Sequence, residues 1–305
     1  MRPFPVSCLT ALLAISAAAC GTARDQQAPV SQAGVTVDTA TPIPAVVALQ
    51  MSLDSLPNDI EGRAIRRGHA ILRHAPDSLG TYTRSNLTCT SCHLDDGLRK
   101  DAAPLTGSAA RYPRYIARAA ETATVADRVN YCVTRSLAGI PIPLDSPQMH
   151  AMVAYLEFLS RGPLADTTAP GRGMPDLPRL SGDSSRGRAI FVASCTRCHG
   201  VDGQGLVGPA LWGSMSFSVG ASMARESRGA SFIRHNMPYD MPGTLTDQQA
   251  YDVAAFIASM PRPDFPRKAN DWPGGGAPYD VPYDTPGHKA FHRPVMLPSI
   301  AAKDR

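Results

Sequence analysis

The chain has 305 residues, 43% hydrophobic and 18% charged, with a formal net charge of +4. So small an excess over this length, with no basic run of five or more, gives no reason to propose nucleic-acid binding. Length points to about two domains, and 28 prolines with 25 glycines predict an all-α chain of short helices joined by long loops rather than extended sheets.

Arg2 opens the chain with a positive charge, an apolar run follows over residues 9–19, and small residues lead into Ala18-Ala19-Cys20. This is the shape of a signal peptide over residues 1–19. A cysteine directly after the small residues resembles a bacterial lipoprotein signal, in which Cys20 is the lipidation site. Residues 20–50, rich in Ala, Thr, Gln, Val and Pro, read as a flexible tether. The expectation is an exported, periplasmic protein held at a membrane by acyl chains alone. Gly21-Thr22 lack an Asp after the cysteine, which favours the outer membrane. Beyond the N-terminus no stretch of 18 apolar residues occurs, so no internal span is expected.

Past Cys8 and Cys20, five cysteines remain: Cys89, Cys92, Cys132, Cys195 and Cys198. An odd number argues against a simple disulfide framework. Four of them form two copies of one pattern, Cys89-Thr90-Ser91-Cys92-His93 and Cys195-Thr196-Arg197-Cys198-His199. C-x-x-C-H is the attachment signature of c-type haem. Two thiols on one helical turn can each form a thioether with a haem vinyl group, and the next residue turns its imidazole to the iron from the same side. Zinc is disfavoured because Cys92 and Cys195 lie 103 residues apart, far beyond the spacing of structural sites. A thioredoxin-like pair lacks its βαβ context.

Each motif follows a helical pattern. Residues 58–74 carry Ile60, Ala64, Ile65, Ile71 and Leu72, and Asp183 or Ser184 can cap a helix with Ala189, Ile190 and Val192. Each unit also closes on an amphipathic helix, over 147–159 and, capped by Thr246, over 247–260. Tyr155/Phe158 and Tyr251/Phe256 read as packing residues at helix crossings. Helix, haem motif, Gly/Pro-rich loop, second ligand and final helix is an order that resembles class I cytochrome c, here twice in tandem around two covalent haem c irons. The expected boundaries are 51–162 for the first domain, 163–182 for a Pro/Gly-rich linker, 183–268 for the second domain and 269–305 for a C-terminal arm. The arm reads as an irregular wrap over the surface, with His288 and His292 facing solvent.

His93 and His199 supply one axial ligand each. In the second domain Met237 is the expected partner, 38 residues after His199 and followed by a proline; Met241 and His235 compete. His/Met ligation raises the reduction potential and suits electron transfer. The first domain has Cys132 instead, 39 residues after His93. It reads either as a buried inert thiol or as an axial thiolate, and the matched offset favours the ligand. A thiolate donates electron density, lowers the potential and suits a catalytic centre. Met149, Met152 and His150 are fallback ligands whose helical spacing suits core or surface.

Two longer runs carry a more specific resemblance: residues 127–136 (DRVNYCVTRS) with 141–146 (PIPLDS), and residues 232–238 (FIRHNMP) with 243–248 (GTLTDQ). They resemble the thiosulfate dehydrogenases, periplasmic dihaem cytochromes that interconvert thiosulfate and tetrathionate, and the likeness covers about residues 55–280. It implies a catalytic haem with His/Cys ligation through His93 and Cys132, and a transfer haem with His/Met ligation. It also implies a substrate pocket lined by Arg118, Arg128 and Ser136, and a soluble cytochrome or similar protein as electron acceptor. Thiosulfate is a dianion, and two must meet to couple, so fixed guanidinium groups are what the chemistry needs. Arg114 and Arg135 are expected to be solvated surface charges. Two departures stand out: no lysine accompanies Met237, and Glu121 follows Arg118-Ala119-Ala120, near the expected anion site. The alternative is a non-catalytic dihaem lipoprotein that relays electrons for another dehydrogenase.

Overall fold

A computed structural model describes residues 45–161 and 173–290. The signal, Cys20, most of the tether, part of the linker and His292 lie outside the described residues. In chain order the helices are α1 (Ala45–Asp54), α2 (Ile60–Arg73), α3 (Ala75–Leu79), α4 (a left-handed turn, Leu94–Gly97), α5 (Val125–Arg135), α6 (Pro147–Phe158), α7 (Ser184–Ser194), α8 (Thr196–His199), α9 (Glu226–Asn236) and α10 (Asp247–Ala258). A short antiparallel hairpin, β1 (Arg114–Ile116) with β2 (Glu121–Ala123), pairs Tyr115 with Thr122.

The four expected helices form where the caps and apolar spacing place them. The Asp59 side chain accepts from Gly62 N at 2.8 Å to start α2, which buries Ile65, Ile71 and Leu72. Ser146 caps α6, whose buried Met149, Met152, Tyr155 and Leu156 follow helical spacing. Asp183 caps α7, and Thr246 with Gln249 makes a reciprocal capping box on α10.

The same crossing recurs in both units: α2 packs on α6, and α7 on α10. Glycine sits at each crossing. A Cβ on Gly68 would lie 2.0 Å from Ala151 O, and one on Gly187 1.9 Å from Asp252 O. The next obstacle is aromatic in both cases, Tyr155 Cβ at 2.8 Å and Phe256 Cβ at 2.9 Å. Tyr155 and Phe256 therefore do pack at the crossings. Phe256 joins Phe191 and Trp212, with centroids 5.1–5.6 Å apart.

Three segments differ from expectation. Residues 45–50, assigned to the tether, are helical because Leu49 and Leu53 are buried in the first core. Described linker residues are packed, with Leu177 and Leu180 against the α9–α10 core and Ser231 Oγ donating to Pro175 O at 2.5 Å. The arm is no loose wrap, since Trp272, Val281 and Tyr283 form a buried cluster. His288 is half-buried within it, its Nε2 3.1 Å from Val281 O.

Replacing Gly187 by Ala forces a methyl group into a backbone carbonyl and should destabilise the haem-loaded protein by about 1–3 kcal/mol in denaturant titration. Gly274→Ala, whose Cβ meets nothing within 4 Å, should be close to neutral.

Candidate active site

Both motif histidines are held alike. His93 Nδ1 is 2.6 Å from Ala103 O, and His199 Nδ1 is 2.8 Å from Pro209 O, a separation of ten residues in each domain. A carbonyl only accepts, so Nδ1 carries the proton and Nε2 keeps its lone pair for a metal. Burial lowers the pKa of His199, which favours the neutral, ligating form.

In the second domain a cavity of about 650 Å³ is lined by Cys195, Cys198, His199 and Met237. Its walls are mainly apolar, among them Leu211, Phe232, Ile233, Val253 and Ile257. Met237 ends α9 in extended backbone. The rival ligands are not on that wall: His235 Nδ1 is bound to Ser231 O at 2.8 Å, and Met241 is 53% exposed. Thr90, Ser91 and Cys92 of the first motif line the same cavity, so the two motifs share one interior.

In the first domain Cys132 lies on α5, one turn after Arg128, whose Nη1 donates to Cys132 Sγ at 2.8 Å. Burial alone would raise the pKa of Cys132, but the charge of Arg128 and a hydrogen bond with His93 outweigh it and hold the thiol down to about 6. The motif thiols behave oppositely. Burial first, and then the charge of Cys132, push Cys89 and Cys92 up to about 12. The fold therefore brings Cys89, Cys92, His93, Arg128 and Cys132 together. The fallback ligands are elsewhere, with Met149 and Met152 in the core and His150 exposed. Ser136 caps α5, its N–H bound to Cys132 O at 2.7 Å.

Arg118 is near this group but not free. Its Nε donates to Asp271 Oδ2 at 2.8 Å, and its Nη2 to Gly220 O at 2.8 Å and to the Tyr283 hydroxyl. Nη1 is left as the remaining donor group. Arg135 is not a surface charge: it is 7% exposed and grips Asp271 through two bonds of 2.5 and 2.8 Å. The reason is that Asp271, from the arm, gives it a buried partner. Guanidiniums of Arg118, Arg128 and Arg135 stand 5.9, 5.6 and 4.2 Å from the Tyr131 ring. Arg114 and Glu121 are exposed on the hairpin. Sequence reasoning missed Asp271, Trp272, Tyr283 and Tyr131. The aromatic spacing of Trp272, Tyr279 and Tyr283 in the tail was the available signal that this segment is packed.

The donor set suits haem c twice over: paired thiols, an imidazole with Nε2 available, and a sulfur ligand on a facing segment. The cavity wall around His199 is apolar, as a porphyrin face requires.

Residues 81–164 match the family model for the SoxA/TsdA cytochrome c domain, and residues 184–261 match the model for cytochrome c. The chain thus carries two covalent haem c groups. It is 37% identical to a thiosulfate dehydrogenase of Psychrobacter arcticus, covering 80% of this chain and 76% of that protein. It is 36% identical to one of Allochromatium vinosum, covering 75% and 89%. The solved thiosulfate dehydrogenase TsdBA of Marichromatium purpuratum aligns with a TM-score of 0.66 at 34% identity, over 70% of this chain. The chain spans about half of that longer protein, 49% of its length.

Asp271 yields a pH dependence. Burial would raise its pKa, but bonds from Arg135 and Tyr283 and the charges of Arg118 and Arg135 outweigh it and hold the carboxyl below its ordinary value. Stability from a depressed carboxyl is fully present above the unfolded value, about pH 4, and is lost as pH falls through the folded value. Asp271→Asn should lower Tm by about 5 °C at pH 7, and the gap from wild type should begin to close only as pH falls below about 4.

Proposed function

The chain belongs to the thiosulfate dehydrogenase family, oxidoreductases built here on two cytochrome c domains, and on that premise we propose that it couples two thiosulfate ions into tetrathionate beside Cys132 and passes the electrons out by way of the second domain. The observation that carries this reading is the 2.8 Å bond from Arg128 to a thiol that faces His93. In the proposal Cys89 and Cys92 would hold the first haem by thioethers, and His93 and Cys132 would ligate its iron. Cys195 and Cys198 would hold the second, with His199 and Met237. When bound, each haem supplies a one-electron iron couple, so the pair matches the two electrons released when one S–S bond forms between two thiosulfates.

The residues then have distinct work. Arg128 keeps the Cys132 sulfur anionic by standing beside it in a low-dielectric interior. Arg128 and the free Nη1 edge of Arg118 offset the repulsion between two dianions and orient their oxygens by directed N–H donors. Ser136, at the end of the same helix, is the proposed hydroxyl donor to the substrate. Carbonyls of Ala103 and Pro209 fix the imidazole rings. For the exit side, Leu206 and Val207 line the second cavity and are 65% and 92% exposed, which suits contact with a soluble cytochrome or similar acceptor. The apolar run before Cys20 supports export and a lipid anchor at the periplasmic face.

Cys132→Ala should reduce thiosulfate-dependent ferricyanide reduction by at least about a hundredfold and alter the spectrum of one haem. Unchanged turnover would return the protein to the electron-carrier reading. Met237→Leu should instead change the spectrum of the other haem and leave thiosulfate affinity within about twofold.

A further inference from the structure

We infer that Asp271, assisted by Tyr283, is a positioning residue for the thiosulfate pocket: the C-terminal arm reaches back from beyond the second domain and aims Arg118 at the substrate. The inference rests on the reading of Arg118 as a pocket residue. Asp271 is 2% exposed. Its Oδ2 accepts from Arg118 Nε at 2.8 Å, Arg135 Nη1 at 2.8 Å and the Tyr283 hydroxyl at 2.5 Å, and its Oδ1 accepts from Arg135 Nη2 at 2.5 Å. The arm grips Arg118 again at its backbone, where Trp272 N donates to Arg118 O at 2.8 Å, and the Trp272 ring lies 4.6 Å from the guanidinium. Residues 271–283 fall outside both family matches, which end at residues 164 and 261.

Charge shows why geometry is the purpose. A pocket that only had to attract dianions would do better without a carboxylate bonded to one of its two arginines. Asp271 cancels one positive charge, so its presence weakens long-range attraction. What it supplies is order. Without it, Arg118 and Arg135 would be two like charges crowded beside one phenol ring, and each would swing away. With it, Nε and Nη2 of Arg118 are fully engaged and Nη1 is presented in a fixed direction. Arg135, three residues past Cys132, is locked by the same carboxylate, so the helix carrying the sulfur and the hairpin end carrying Arg118 share one anchor.

The test is saturation kinetics with thiosulfate and ferricyanide on haem-loaded Asp271→Asn, Tyr283→Phe and Arg118→Ala, with both haem spectra and Tm recorded. Positioning predicts that KM rises about tenfold in Asp271→Asn and about threefold in Tyr283→Phe, with kcat within about twofold and spectra unchanged. Tyr283→Phe loses a single hydroxyl, so it remains informative if Asp271→Asn folds poorly. A KM that falls in Asp271→Asn would mean the carboxylate acts only as counter-charge, and a lowered Tm with unchanged KM in both arm variants would mean it only clips the arm down; either overturns the inference. If Arg118→Ala raises KM while the arm variants do not, the pocket reading stands and the positioning role fails. If Arg118→Ala leaves KM unchanged, the pocket reading of Arg118 itself fails.

Discussion

The contact between a half-buried cysteine sulfur and the permanent cation one helical turn before it is the constraint around which the first domain is arranged. Burial works against a charge on the sulfur at position 132, and Arg128 works for it from one turn earlier on α5. The rest of that helix keeps the pair in place. Thr124 and Asp127 close its start by mutual capping. In its middle, Asn130 bonds both backbone groups of Ile142, at 2.7 and 2.8 Å, and so ties the following loop to the helix. At its end Arg135 is pinned by Asp271, and its carbonyl accepts from Ser218 Oγ at 2.7 Å. A helix held at three points can hold a reactive atom to within a fraction of an ångström, which loops rarely do.

The two halves show how one scaffold carries two chemistries. Each has a glycine at its helix crossing, a C-x-x-C-H turn, and an imidazole locked to a carbonyl ten residues on. They part at the sulfur residue proposed to face each histidine. In one half a methionine closes a helix over an apolar cavity; in the other a cysteine sits within a helix among arginines. On the proposed ligation, the identity of the far ligand and its neighbours, rather than the fold, divides the labour.

Much of this is legible in the bare sequence because it is local. The haem motifs are five-residue signatures, the caps lie within three residues of their helices, and Met237 precedes a proline at a loop position. Cys132 stands out because its offset from His93 nearly repeats that of Met237 from His199. What is not legible is long-range charge pairing. Nothing near Arg135 distinguishes it from a solvated surface arginine, because its partner lies 136 residues away. The same holds for Arg118, separated from Asp271 by 153. The tail looked loose because proline and glycine dominate it, although three of its aromatic and aliphatic side chains are buried. Such pairings leave no periodicity to read.

The arm also sets an order of completion. A ribosome delivers residue 271 only after both cytochrome units have been synthesised, yet the arginines it binds, Arg118 and Arg135, belong to the first of them. A polypeptide cut short at the end of the second unit would still bear both chromophores and look whole by its colour. It would lack the carboxylate that Arg118 and Arg135 share. If the arm positions Arg118 as inferred, redness and competence are separable in this molecule, and the last-made segment is what joins them.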